Sequence, residues 1–299
     1  LLAEIFRHSG LQTGLMGTVN YEYGDVSIPS KLTTPESLEL QGILRDMVDA
    51  GMEKLVMEVS SQAIEMSRIG EIRFQTVALN NVTREHIDQH GTFGAYWAQK
   101  QRLITESDPQ TEVVLNVDDE HARSLLAYRP DAYTFAHENE ADVRCENLDL
   151  TTGFPSFDVA LSDRMRERVP GLPERFPVRI AVAGYHMVLN ALSAIAISLL
   201  QGVSVAHIQE GVQLYKGVER RFEMLCDTPF TVLDDHFANA GNINVTLQTL
   251  AYMKYRELLI VYAIRGNRGV TVNRENLETF VPRLSELGCT RLIVTLSRD

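Results

Sequence analysis

One repeated pattern constrains this chain more than any other: short apolar runs that end in polar loops, with amphipathic helices between them. Residues 74–79 are such a run and read as a buried strand. A polar loop follows, carrying Thr83, Arg84, Glu85, His86, Asp88 and His90. Thr92 is placed to cap the next helix, whose apolar side falls at Phe93, Tyr96, Trp97, Leu103 and Ile104. Lys100 falls on that same side, seven residues after Phe93. A lysine facing a core is costly unless it is paired, modified or at the edge of a cleft. The plainer alternative is a surface helix whose lysine snorkels to water. The loop favours the first reading, because open α/β sheets place ligands at the carboxyl ends of their strands. His86 and Glu85 suit a divalent cation or a phosphoryl group, while His90 and Asp88 serve equally well as cap or turn residues.

The same grammar runs through the rest of the chain. Residues 1–9 read as a helix closed by Gly10, and 14–19 as a short strand. Residues 21–31 read as a polar loop. Thr33-Thr34-Pro35-Glu36 reads as a helix start, with a threonine cap and proline at the first helical position, opening a helix that reaches about Ala50. Residues 55–59 form an apolar strand with Ser60-Ser61 at its end. Strand, helix and strand in this order are βαβ units of a parallel sheet. Residues 111–117 are another strand, ending at Asp118-Asp119, which suits a cap on a helix over 120–126. Residues 133–135, 143–150, 157–161 and 177–182 read as short strands of a small antiparallel sheet appended to the parallel one. A helix of small and apolar residues spans 184–200. Strands at 230–235, 258–262 and 291–296, with a helix at 273–287, complete an α/β chain.

Composition excludes some classes. A net charge of -12 argues against a general nucleic-acid surface, while leaving room for a local basic pocket for phosphates. The three cysteines lack metal-ligand spacing and read as packing residues in a reducing compartment. No apolar run reaches the length of a membrane span and no signal peptide is visible, so a cytoplasmic protein with no membrane partner is expected. The 299 residues suit two domains or one large one. The chain starts at Leu1, inside a helical pattern, and stops at Asp299 directly after a strand-like run, so a fragment is expected.

The run Asn81-Val82-Thr83-Arg84-Glu85-His86-Ile87-Asp88-Gln89-His90-Gly91, followed by Ala98-Gln99-Lys100, resembles the Mur ligase family, the ATP-dependent amide ligases of peptidoglycan assembly. The resemblance implies that Lys100 is carbamylated by carbon dioxide, that the carbamate helps hold Mg2+, and that His86 is a magnesium ligand. Carbamylation needs a neutral amine, which a partly buried site favours, and its product is an anion suited to a hard cation. Thr33-Thr34-Pro35 is similar to the motif that binds the UDP-linked muramoyl peptide in the branch adding the third residue. Met57-Glu58-Val59-Ser60-Ser61 matches that branch too, making Glu58 a magnesium ligand and Ser60 and Arg68 substrate contacts. Gln62 stands where the family has histidine. Asn190 resembles an asparagine near the nucleotide, with Met187 where a second asparagine is usual. Arg221 matches a motif arginine and Arg268 an arginine of a loop that touches ATP, although Asn267 replaces an acid there. Asp235 and Asn239 keep a further motif in which Ala238 replaces histidine.

The resemblance implies a Mur ligase central domain over 1–222 and a partial Rossmann-like C-terminal domain over 223–299. The implied reaction joins an amino acid to a UDP-muramoyl peptide, with ATP and magnesium. The region that recognises the amino acid would begin after residue 296. The family's phosphate loop would lie immediately before the first helix, and no Gly-Lys-Ser/Thr occurs in this sequence. As written, the chain is expected not to hydrolyse ATP. The alternatives are a diverged homologue acting on another acid, in the manner of a polyglutamate-adding ligase, or a binding module without catalysis.

Overall fold

The computed structural model describes residues 1–70, 72–83, 87–218, 222–226, 228–236, 239–264 and 269–296. The chain divides into two compact units: residues 1–147, 158–178 and 189–215 in the first, and 148–157, 179–188 and 216–299 in the second.

In chain order the elements begin with α1 (Leu2–His8), β1 (Thr13–Met16), β2 (Asn20–Tyr23), β3 (Val26–Pro29), α2 (Ser37–Asp49), β4 (Lys54–Met57), α3 (Ser61–Glu65) and β5 (Thr76–Leu79). They continue with α4 (Ile87–His90), α5 (Phe93–Thr105), β6 (Glu112–Asn116), α6 (Glu120–Ser124), β7 (Tyr133–Ala136), β8 (Val143–Asp149), β9 (Ser156–Leu161), α7 (Asp163–Arg168), β10 (Arg175–Arg179), α8 (His186–Leu200) and α9 (Val205–Leu214). The last are β11 (Glu223–Cys226), β12 (Val232–Asp234), α10 (Ala240–Tyr252), β13 (Leu258–Ile264), α11 (Gly269–Phe280) and β14 (Cys289–Leu296).

Two sheets organise the first unit. One has the order β3-β2-β1-β4, the other β10-β9-β8-β7-β6-β5. β1 and β4 run parallel, as do β5, β6, β7 and β8 in succession. Met16, Tyr21, Leu40 and Met47 form the core under the first sheet. Val77, Leu79, Tyr96, Ile104, Val113 and Leu115 form the core under the second. α1 packs on α9 so closely that a Cβ on Gly211 would stand 2.7 Å from the Ile5 Cα, which makes glycine a requirement there. In the second unit Phe222, Ile243, Leu247, Tyr262 and Phe280 are buried together, β11 pairs antiparallel with β12, and β13 pairs parallel with β14.

The fold corrects several expectations. Residues 21–31 are not a loop: β2 and β3 form an antiparallel hairpin joined by Gly24-Asp25, with Gly24 at φ 54. Tyr21 and Tyr23 are buried on either side of Glu22, a period of two short enough to miss. β7 and β8 belong to the parallel run, not to an appended antiparallel sheet. A parallel crossover usually needs a long connection. Here two carboxylates brace a short one. Asp118 accepts the backbone N–H of His137, Glu138 and Asn139, and Asp142 accepts the N–H of Thr134 at 2.9 Å. The reading of all three cysteines as packing residues holds for Cys145, which is buried and whose thiol burial pushes up to about 12; Cys226 is exposed. Among the described residues no helix is long and apolar enough to cross a membrane.

Candidate active site at the carboxyl ends of β4 and β5

β4 ends at Met57, so Glu58 stands just beyond the strand and is exposed, contrary to its expected place inside an apolar run. Its N–H donates to the Met16 carbonyl at 2.8 Å, keeping it in register with β1. Its carboxylate accepts the Thr18 hydroxyl at 2.7 Å, and the Thr18 and Thr33 hydroxyls lie 3.0 Å apart. Glu58 therefore has a fixed orientation and a face open to solvent. The Tyr215 phenol shares these surroundings: burial first, and then the charges of Glu4 and Glu58, hold its pKa above the ordinary value.

Thr34 does not cap α2. The N-cap of that helix is Glu36, which makes no side-chain cap bond. The fully buried Thr34 hydroxyl instead donates to the Glu58 carbonyl and accepts the Ser60 N–H, each at 3.0 Å. Arg68 is 7% exposed, donates from Nη1 to the Thr34 carbonyl at 3.1 Å and pairs with Glu36 at 2.7 Å. Its Nε is buried with no hydrogen-bond partner among the described residues. The Ser60 hydroxyl accepts the Ala63 N–H at 3.2 Å and so caps α3. The residues expected to hold a substrate thus converge, but Thr34, Ser60 and Arg68 spend their described bonds on shaping the turn.

The second arm leaves β5. The Asn80 carbonyl accepts the Asn116 amide at 2.7 Å, and the Asn80 amide reaches Asn190 Oδ1 at 3.3 Å. Asn190, near the start of α8, is thereby brought to the carboxyl ends of β5 and β6. Asp119 accepts Val82 N–H at 3.1 Å and Ala122 N–H at 2.8 Å, so it caps α6 as expected while also tying down the start of the loop. Thr92 caps α5 by accepting the Ala95 N–H at 3.1 Å. On α5, Tyr96 and Ile104 are buried and Phe93, Trp97 and Leu103 pack beside them. Lys100 is half-buried on this side, with Nζ 5.5 Å from the centre of the Tyr96 ring. α3, which follows the turn that presents Glu58, packs against α5, the helix that carries Lys100.

His86, Arg221 and Arg268 lie outside the described residues, as do Glu85, Ala238 and Asn267. Among the described residues no group of three or more His, Cys, Asp or Glu side chains could hold a metal ion. The sequence reading passed over Thr18, Asn80 and Tyr215. A lone threonine after a strand carries no signal of its own, and Asn80 was hidden by the motif asparagine beside it.

Residues 1–198 match the family described as the Mur ligase middle domain. The UDP-N-acetylmuramoyl-L-alanyl-D-glutamate–2,6-diaminopimelate ligase of Bacillus licheniformis is 32% identical over 280 residues, covering 91% of this chain and 55% of that protein. The ligase of the same name from Halalkalibacterium halodurans is 32% identical over 279 residues, with coverage of 91% and 55%. The chain thus spans about half the length of the curated relatives it matches. A solved ligase of that name superposes with a TM-score of 0.75 at 22% identity, covering 98% of this chain and 58% of the other. A Thermotoga maritima MurF ligase in complex with ADP superposes at 0.70 and 18% identity, covering 100% and 67%. Both share this fold.

Proposed function

Because this chain belongs to the Mur ligase family, we propose that it is the core of an ATP-dependent ligase that joins an amino acid to a UDP-linked muramoyl peptide, by way of an acyl phosphate, in the cytoplasm. ATP would phosphorylate the terminal carboxylate of the peptide, and the amine would displace phosphate from it. In this reading residues 1–222 are the central domain and 223–299 begin the C-terminal one.

The observation that carries the reading is the presentation of Glu58. An acid at the end of a parallel strand, oriented by Thr18 from the side and by Thr34 through its backbone, is an oxygen donor held ready for a hard cation. Lys100 would supply a second oxygen donor as its carbamate, on a helix that packs against α3, which follows that turn, and His86 would complete the set. That donor chemistry fits magnesium, which would neutralise charge on the transferring phosphoryl oxygens. The protein's own side chains do the positioning. Thr18 holds the Glu58 carboxylate, Thr34 and Arg68 hold the turn, Thr33 and Ser60 border the sugar-nucleotide side, and Asn190, Arg221 and Arg268 would face ATP. Bringing acceptor, nucleotide and amine together in fixed geometry is the larger part of catalysis in such a reaction.

The test measures phosphate release by the product of the complete reading frame. UDP-N-acetylmuramoyl-L-alanyl-D-glutamate and 2,6-diaminopimelate, the pair named for its relatives, should both be required. Residues 1–299 alone, with no Gly-Lys-Ser/Thr, should release none. No phosphate from the complete protein with any muramoyl peptide and amine would contradict the proposal.

A further inference from the structure

His90 stands between the two arms of this site. It closes α4, immediately before Gly91 and the Thr92 cap of α5. The sequence offered it a role as a cap or turn residue. The structure buries it instead: its side chain is 1% exposed. Nε2 lies 2.9 Å from the Ser61 hydroxyl, and Nδ1 lies 3.4 Å from the Glu65 carboxylate. The ring also packs on Tyr96, with centroids 5.6 Å apart at 48°, and Tyr96 in turn carries Lys100 Nζ over its ring. A carboxylate beside Nδ1 favours the proton on that nitrogen, which leaves Nε2 to accept the Ser61 O–H.

Ser61 is the first residue of α3, three positions after Glu58. The turn between them is gripped from one side by Thr34, through the Glu58 carbonyl and the Ser60 N–H. His90 grips it from the other side, through Ser61. We infer that His90 is a positioning residue that locks the turn presenting Glu58 to the entrance of the helix presenting Lys100. It touches neither substrate nor the reacting atoms. It sets the separation of the two groups that must act together, and the inference rests on the ligase reading given above. A buried imidazole suits the task because both ring nitrogens face defined partners, so the ring plane itself is fixed. Groups in this outer position typically cost 10–100-fold when removed from a metal-dependent site.

The experiment compares His90→Ala, Ser61→Ala, the double variant and His90→Gln in the protein of the complete reading frame. His90→Ala should lower kcat about 10–100-fold and raise the magnesium concentration needed for half-maximal rate, with KM for ATP within about twofold. Ser61→Ala should reproduce most of the loss, and the double variant should be no worse than His90→Ala, since the two side chains act as one unit. His90→Gln, whose amide can still meet the Ser61 hydroxyl, should recover part of the rate. Nitrogen-15 NMR of the imidazole should show one fixed arrangement with Nδ1 carrying a proton, and Ser61→Ala should move the Nε2 signal alone. Wild-type rates in His90→Ala, or losses that simply multiply in the double variant, would overturn the inference. So would an imidazole averaging between tautomers. An inactive wild type that carries the expected imidazole signal would instead break the ligase reading and spare the lock.

Discussion

The turn after β4 and the helix after β5 each deliver one charged group, and they are built by opposite means. Glu58 is placed by hydrogen bonds. Its N–H, carbonyl and carboxylate each have a named partner, and Arg68 and Thr34 support the turn from below. Lys100 is placed by packing: an apolar helix side seats Tyr96 and Ile104 in the core, and the lysine rides on that surface over a ring. Hydrogen bonds fix direction, so the carboxylate is aimed. Packing fixes the position of the helix backbone from which the lysine extends.

Breaking that contrast should give effects of graded size. The largest is Lys100→Ala, which should abolish ligase turnover in the complete protein and leave the melting temperature almost unchanged, because the half-buried lysine contributes little to the core. A melting temperature that falls together with activity would mean that the side chain is structural. Next comes Thr34→Val, which leaves the Ser60 N–H and the Glu58 carbonyl without their partner in a buried place. Thermal or denaturant unfolding should show a loss of about 1–3 kcal/mol, and turnover should fall with it. Thr18→Val should be milder in stability, since Glu58 is exposed, and should appear chiefly as a raised magnesium requirement. A stability loss for Thr18→Val equal to that for Thr34→Val would erase the distinction between aiming the carboxylate and supporting its turn.

The smallest effect concerns Tyr215. Burial and the charges of Glu4 and Glu58 raise its pKa above 10.0 in the folded protein. The phenol in the unfolded chain loses its proton first as pH rises, so the unfolded state then binds fewer protons than the folded one. Stability from this group is therefore complete below pH 10 and declines as pH climbs toward the folded pKa. Tyr215→Phe should flatten that alkaline decline in a series of unfolding curves. An unchanged slope would mean that the phenol's pKa is not raised on folding.

Much of this was legible beforehand, and the gaps have physical causes. Helical periodicity marked α2, α5 and α8, and apolar runs marked β4, β5 and β6, because those elements bury one clear face. Thr92 and Asp119 were readable as caps, since capping is local chemistry. The β2–β3 hairpin escaped because two tyrosines alternating with one glutamate make too short a period. Thr34 was misread because a threonine before Pro-Glu looks like a helix cap. Only the fold brings Glu58 and Ser60, 24 and 26 residues further along, to its hydroxyl. The exposure of Glu58 was hidden for a similar reason: where a strand stops by one residue decides whether an acid is buried or presented. α9 depends on tertiary contact for its place, since Gly211 matters only once Ile5 lies against it.

The central claim is that Glu58 and the carbamate of Lys100 serve one cation. It is tested most directly by equilibrating the complete protein with carbon-13 bicarbonate and following the carbamate resonance as manganese replaces magnesium. The account predicts a carbamate signal that is absent in Lys100→Ala, that manganese broadens away at low concentration, and that needs far more manganese to broaden in Glu58→Gln. A protein that shows no carbamate, or a carbamate that manganese affects equally with and without the Glu58 carboxylate, would contradict it.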